Sequence, residues 1–200
     1  NKRSRLYHTS YKGDIDMRII KAEDIRDAVA KGAARAVREL PEDVLCALRD
    51  AYEKEESDAA KDFLSQLIEN EAVSRRTGLP LCQDTGMCVV FMNIGRECYI
   101  DGDLVKMVND GVREAYGPLR KSVLHPLTRV NTGDNTPCIL HTFPAEGDKI
   151  KITIAPKGFG SENMSRLTML TPSAGIEGVK RTVIEAVNAA GANPCPPVIV

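Results

Sequence analysis

Apolar residues recur at helical spacing through the first third of this chain. Ile20, Ile25, Val29, Ala33, Val37 and Leu40 predict a helix between Met17 and Leu40, and Pro41 then opens a second helix as a first-turn proline. That second helix carries Val44, Leu45, Leu48 and Tyr52 on one face. A third begins near Asp58 as N-cap, runs through Phe63, Leu64, Leu67, Ile68 and Val73, and stops near Gly78. The N-terminal third is therefore expected to form a helical layer.

The pattern changes after residue 86. Met87 to Ile94 is a continuous apolar run of strand length, and Asp101-Gly102-Asp103 leads into a helix through Leu104, Val108, Val112 and Tyr116. Thr136 to Thr142 and Lys149 to Ala155 are strand-like, the latter with Ile150, Ile152 and Ile154 alternating with polar residues. Their short Ala145-Glu146-Gly147-Asp148 connection predicts a hairpin. A last helix runs from about Ser173 through Ile176, Val179, Val183, Ile184 and Val187 to Gly191, followed by the apolar run Pro197-Val198-Ile199-Val200. The expected fold class is α/β of the mixed α+β kind, a helical layer packed on a mixed sheet of about four strands, with loops between strands and helices carrying the chemistry.

Composition narrows the function classes. With 27 basic and 28 acidic side chains and a formal charge of −1, no basic face emerges that would neutralise a row of phosphates, so nucleic acid is not an expected partner. No apolar run approaches the ~20 residues of a membrane span, and no secretory signal precedes the first helix. The chain reads as cytoplasmic, with no membrane partner. Residues 1–16 read as an N-terminal extension or tag remnant, and residues 17–200 as one domain, with the apolar ending suggesting a C-terminal continuation. The six cysteines contain no C-x-x-C pair and are expected as free thiols. Cys46, Cys88, Cys98 and Cys138 fall in apolar patterns and read as small buried hydrophobes. Met164 and Met169 are likewise expected in the core.

Four loops remain. Pro80-Leu81-Cys82-Gln83-Asp84-Thr85-Gly86 puts a thiol, an amide and a carboxylate in one turn, and Asn193-Pro194-Cys195-Pro196-Pro197 holds a second cysteine between prolines. Two rigid cysteines in polar loops suggest a metal site. Asn131-Thr132-Gly133-Asp134-Asn135-Thr136-Pro137 either satisfies its own backbone through Asx turns or shapes a polar pocket with its amides and Asp134. Lys157-Gly158-Phe159-Gly160-Ser161-Glu162-Asn163 leaves a strand and enters a short helix, so its backbone N–H groups either cap that helix or face an anion. It is neither a Walker A loop nor G-x-G-x-x-G. Arg120 and Arg129 are candidate carboxylate clamps, because a guanidinium fork matches that shape with two parallel hydrogen bonds. His125 and His141 read as structural.

Taken together, these four segments resemble the alpha subunit, or N-terminal domain, of the iron-sulfur hydro-lyases that include class I fumarate hydratase and L-tartrate dehydratase. The resemblance covers Met17 to Val200, in the family's order and approximate spacing. It implies a [4Fe-4S] cluster held by three cysteines, of which Cys82 and Cys195 match two; the third does not match any cysteine of this chain. It further implies Gln83 and Asp84 as catalytic residues, and Arg120, Arg129, Asp134 and Gly160 as substrate-binding residues. The implied substrate is a small dicarboxylate, fumarate or malate first and L-tartrate as the alternative. The implied partner is a beta subunit that carries the catalytic base, in an α2β2 assembly. A reading from another class is a non-catalytic assembly or regulatory subunit, against which the intact Cys82-Gln83-Asp84 and Cys195 argue.

Overall fold

The computed structural model describes residues 17–191 and 193. The N-terminal extension, Cys195 and the apolar ending lie outside those residues. The first described element is a strand, β1 (Arg18–Lys21), where helical spacing alone predicts a helix. Ile19 and Ile20 are both β-branched and favour an extended backbone, and β1 finds a parallel partner in β3 (Cys98–Asp101), with Arg18 opposite Cys98. Helix α1 then runs Ala22–Ala36. It ends before Leu40 because the residue preceding a proline is disfavoured in the helical region, and Pro41 serves as N-cap of α2 (Glu42–Lys54). Helix α3 (Asp58–Thr77) is capped by Ser57, one residue before the expected Asp58, and is closed by Gly78 at φ +73°.

The central sheet corrects the expected hairpin. Strand β2 (Met87–Gly95) lies between β4 (Ile139–Ala145), to which it is parallel, and β5 (Ile150–Lys157), to which it is antiparallel. The short β4–β5 connection therefore crosses the end of β2 instead of closing a two-stranded ribbon. Lys149, Ala145 and Gly147 accept hydrogen bonds there from the amides of Gly95, Arg96 and Glu97. Gly95 is required at that crossing, since a Cβ would stand 2.2 Å from the Gly147 carbonyl oxygen. Alternation marks a strand and its wet face but carries no information about which strand pairs with it.

Helices α1 and α4 (Leu104–Ala115) cover one face of this sheet. Val29 and Ala33 meet Val108, Val112 and Tyr116 over Cys88, Val90 and Met92, all fully buried. Each such aliphatic side chain removed from water contributes roughly 1.5–3 kcal/mol. On the opposite sheet face, among the described residues, Phe91, Ile139 and Phe143 are exposed, and the Phe91 ring stacks on His141 at 5.1 Å. After the single-turn α5 (Phe159–Asn163) and a short 3-10 turn, α6 (Gly175–Ala190) leaves Ile176, Val179 and Ile184 in solvent. Of the cysteines and methionines expected in the core, Cys88 is fully buried, Cys98, Cys138 and Met164 are half-buried, and two are exposed. Cys46 is exposed on α2, one position past the buried Leu45 and two before the buried Leu48, and Met169 is 88% exposed on an irregular segment. Among the described residues no helix is long and apolar enough to cross a membrane.

Candidate active site

The turn carrying Cys82 is fixed from both sides. Before it, Leu81 donates its amide to the Val37 carbonyl at the end of α1, while its own carbonyl accepts from the Asn70 side chain on α3. Ser74, buried on α3, holds the approach by bonding to the carbonyls of Arg38 and Leu79. After the turn, Gly86 adopts φ +60°, and a Cβ there would stand 1.8 Å from the Lys157 carbonyl oxygen. Only glycine allows the start of β2 to pass this close to the end of β5. Cys82 and Gln83 are left exposed on the turn, with Asp84 half-buried behind them.

Asp84 joins the first loop to the third. Its Oδ2 accepts from the amides of Phe159 at 2.9 Å and Gly160 at 3.3 Å, the first turn of α5. Gly158 is equally confined, because a Cβ would lie 2.9 Å from the same oxygen. The anion that this glycine loop receives in the fold is thus the carboxylate of Asp84 itself, a cap of the kind that satisfies the open N–H groups of a helix start. The amide of Asp84 in turn points back at Cys82, with N to Sγ at 3.4 Å. Arg120 reaches the same turn: its Nη1 donates to Gln83 Oε1 at 2.8 Å.

Of the residues singled out from sequence, Cys82, Gln83, Asp84, Arg120 and Gly160 are therefore brought together. Arg129 is exposed at φ +58° in a tight turn closed by its amide on the His125 carbonyl, and among the described residues its guanidinium makes no hydrogen bond or ion pair. Asp134 is engaged elsewhere, accepting from Arg113 Nε at 2.8 Å and from the hydroxyl and amide of Thr136. Burial pushes the Asp134 carboxyl up, but the hydrogen bonds and charge of Arg113, with those of Thr136, outweigh it and hold the carboxyl at about 2. The Asn131 loop does hold Asx-type turns, at Asn131 and Asp134. Two contributors escape sequence reasoning. Arg113 sits on a helix with nothing local to connect it to Asp134, and Asn135 is hidden among four neighbouring polar residues although it is the one fully buried.

Cys195 lies outside the described residues. Among the described residues, the carbonyl oxygen of Asn193 stands 2.8 Å from where a Gly160 Cβ would be. Residues 26–200 match the family described as Fumarate hydratase (Fumerase). The chain belongs to that family. Fumerase-family relatives include a Methanocaldococcus jannaschii protein provisionally named L(+)-tartrate dehydratase subunit alpha, 44% identical over 88% of this chain and 65% of its own length. The L(+)-tartrate dehydratase alpha subunits of Escherichia coli K12 and Shigella boydii are 30% identical over 88% of the chain and 60% of theirs. The chain thus spans less than two thirds of the length of these relatives.

The residues can be tested against an iron-sulfur cluster. Among the described residues no group of three or more His, Cys, Asp or Glu could hold a metal ion. Cys82 does fit as one ligand. Its sulfur is exposed on a braced turn and accepts an N–H, and hydrogen bonds to sulfur are one means by which a protein tunes such a cluster.

Proposed function

We propose that this chain is the cluster-bearing part of a hydro-lyase that reversibly adds or removes water on a short dicarboxylate. The observation that carries the reading is the convergence on the Cys82 turn of Arg120 through Gln83 and of the α5 amides through Asp84, in a chain of the fumarate hydratase family. Cys82 and Cys195 would hold a [4Fe-4S] cluster, with a third thiolate from outside this sequence. Such a cluster supplies Lewis-acid activation of the hydroxyl and carboxylate of a 2-hydroxy dicarboxylic acid.

This chain's own residues bind and orient. Arg120, exposed and anchored at one nitrogen by Gln83, keeps further N–H donors for a substrate carboxylate. Gln83 is held by that contact with its amide beside the cysteine, where it can donate to a substrate oxygen. Asp84 spends one oxygen on the α5 amides, which leaves Oδ1 to orient a hydroxyl or accept its proton. Gly160 contributes a backbone free of any side chain. Arg129 and Asp134 remain part of the reading as more distant contributors, Asp134 through the shape of its loop.

The catalytic base and further carboxylate contacts would come from a beta subunit in an α2β2 assembly, in the cytoplasm. Two features support a partner: the named relatives are alpha subunits, and Phe91, Phe143, Ile176 and Ile184 are exposed apolar side chains that a partner would cover. The relatives' names favour L-tartrate, while fumarate and malate rest on the family description. Assay of the reconstituted complex on fumarate, malate and L-tartrate tests the reading. Turnover of at least one, slowed by Arg120→Ala chiefly through KM, is expected. Full turnover in the Arg120→Ala variant would remove the clamp from the account.

A further inference from the structure

We infer that Asn135 is the positioning residue that sets the Arg120 guanidinium against Gln83, an inference that rests on the proposed hydro-lyase reading. Asn135 is fully buried and holds φ +62°, a conformation that asparagine tolerates better than most residues but that still costs free energy. Its amide is used at both ends. Oδ1 accepts from the Ser122 amide at 2.7 Å, and Nδ2 donates to the Arg120 carbonyl at 3.1 Å. The side chain therefore brackets the backbone of residues 120–122, with Arg120 at one end.

The neighbouring residues of the loop grip other positions. Asn131 donates to the Lys121 carbonyl, and Thr132 bonds the Val123 carbonyl through its amide and hydroxyl. Lys121 is turned away, its ammonium locked on the carbonyls of Tyr116, Gly117 and Leu119. Only Asn135 holds the backbone of Arg120 itself among the described hydrogen bonds, and the Arg120 side chain then extends to Gln83 Oε1 at 2.8 Å. An arginine on an unanchored backbone must be ordered at the moment of binding, which weakens a carboxylate clamp; a buried bracket removes that cost beforehand. No other residue of this size offers both groups at once, since aspartate lacks the donor and glutamine is longer by a methylene.

The test is a double-mutant cycle in the full-length alpha subunit assembled with its partner and reconstituted with iron and sulfide. Asn135→Gly removes both bonds while keeping the left-handed backbone free of strain. The expected result is a rise of about tenfold in KM and in the inhibition constant of succinate, a dicarboxylate that cannot react, with kcat and cluster absorbance little changed. In an Arg120→Ala background the same substitution should add nothing. Losses that multiply across the two sites, or a fall in kcat and cluster content at unchanged KM, would mean a merely structural role and overturn the inference. Should Asn135→Gly fail to assemble, Asn135→Asp, which keeps the acceptor and loses the donor, goes through the same cycle with the same criteria. An unmodified complex that turns over no dicarboxylate while loaded with its cluster overturns the hydro-lyase reading instead, and is distinguished by failing before any substitution is made.

Discussion

Gly86 and Gly78 both hold positive φ, yet they predict different costs. A Cβ at Gly86 would stand 1.8 Å from the Lys157 carbonyl oxygen, whereas Gly78 has open space around that position. Gly78→Ala is expected to cost only the left-handed penalty of about 1–2 kcal/mol, while Gly86→Ala adds overpacking against backbone and should reach about 2–5 kcal/mol. Urea midpoints of the two variants measure the difference, and equal midpoints would mean that the β2–β5 approach is not rigid. At this scale the sequence was informative where a residue's chemistry is rare. The thiol, amide and carboxylate of the Cys82 turn announce themselves, and so does a cysteine between prolines. It was silent where a common residue acts through a distant partner: nothing around Arg113 marks it as the mate of Asp134, and nothing but burial separates Asn135 from Asn131.

Loops between elements take their shape from a few charged anchors, and the Asn131 loop is the case that pH can probe. The Asp134 carboxyl is held at about 2 against an ordinary 3.8. A depressed carboxyl stabilises the fold above its ordinary value, and that contribution is lost as pH falls through the folded value. Asp134→Asn should therefore be destabilised relative to the unmodified chain at about pH 5, with the gap closing toward about pH 2. Chemical denaturation across that range measures it; a gap independent of pH would mean that Arg113 contributes nothing through charge. Asp84 answers a different question. Asp84→Asn keeps an oxygen acceptor for the Phe159 and Gly160 amides, so its melting temperature should stay near that of the unmodified chain while turnover falls, and Asp84→Ala should lose both. The helices and strands themselves were legible because their apolar periods are long. What periodicity could not supply was the order of strands, since β2 slips between β4 and β5 through a crossing that only Gly95 permits, nor the switch at Ile19 and Ile20 from helix to strand, which is decided by a partner eighty residues away (99 − 19 = 80).

For the molecule as a whole, one sheet face and α1 with α4 form the core, and among the described residues Phe91, Phe143, Ile176 and Ile184 leave apolar side chains exposed. Ile184→Lys on α6, 60% exposed, should change the stability of the isolated subunit by less than about 0.5 kcal/mol. If that surface meets the beta subunit, the same substitution should lower co-elution of the two on gel filtration. The four loop segments and the family match agree on what kind of chain this is. The decisive measurement is anaerobic loading of the full-length subunit and its partner with iron and sulfide, comparing Cys82→Ser with the unmodified chain for cluster absorbance and for hydration of fumarate or dehydration of malate and L-tartrate. The account predicts a cluster and turnover in the unmodified complex and the loss of both in Cys82→Ser; turnover that survives Cys82→Ser, or a complex that takes up no iron, would contradict it.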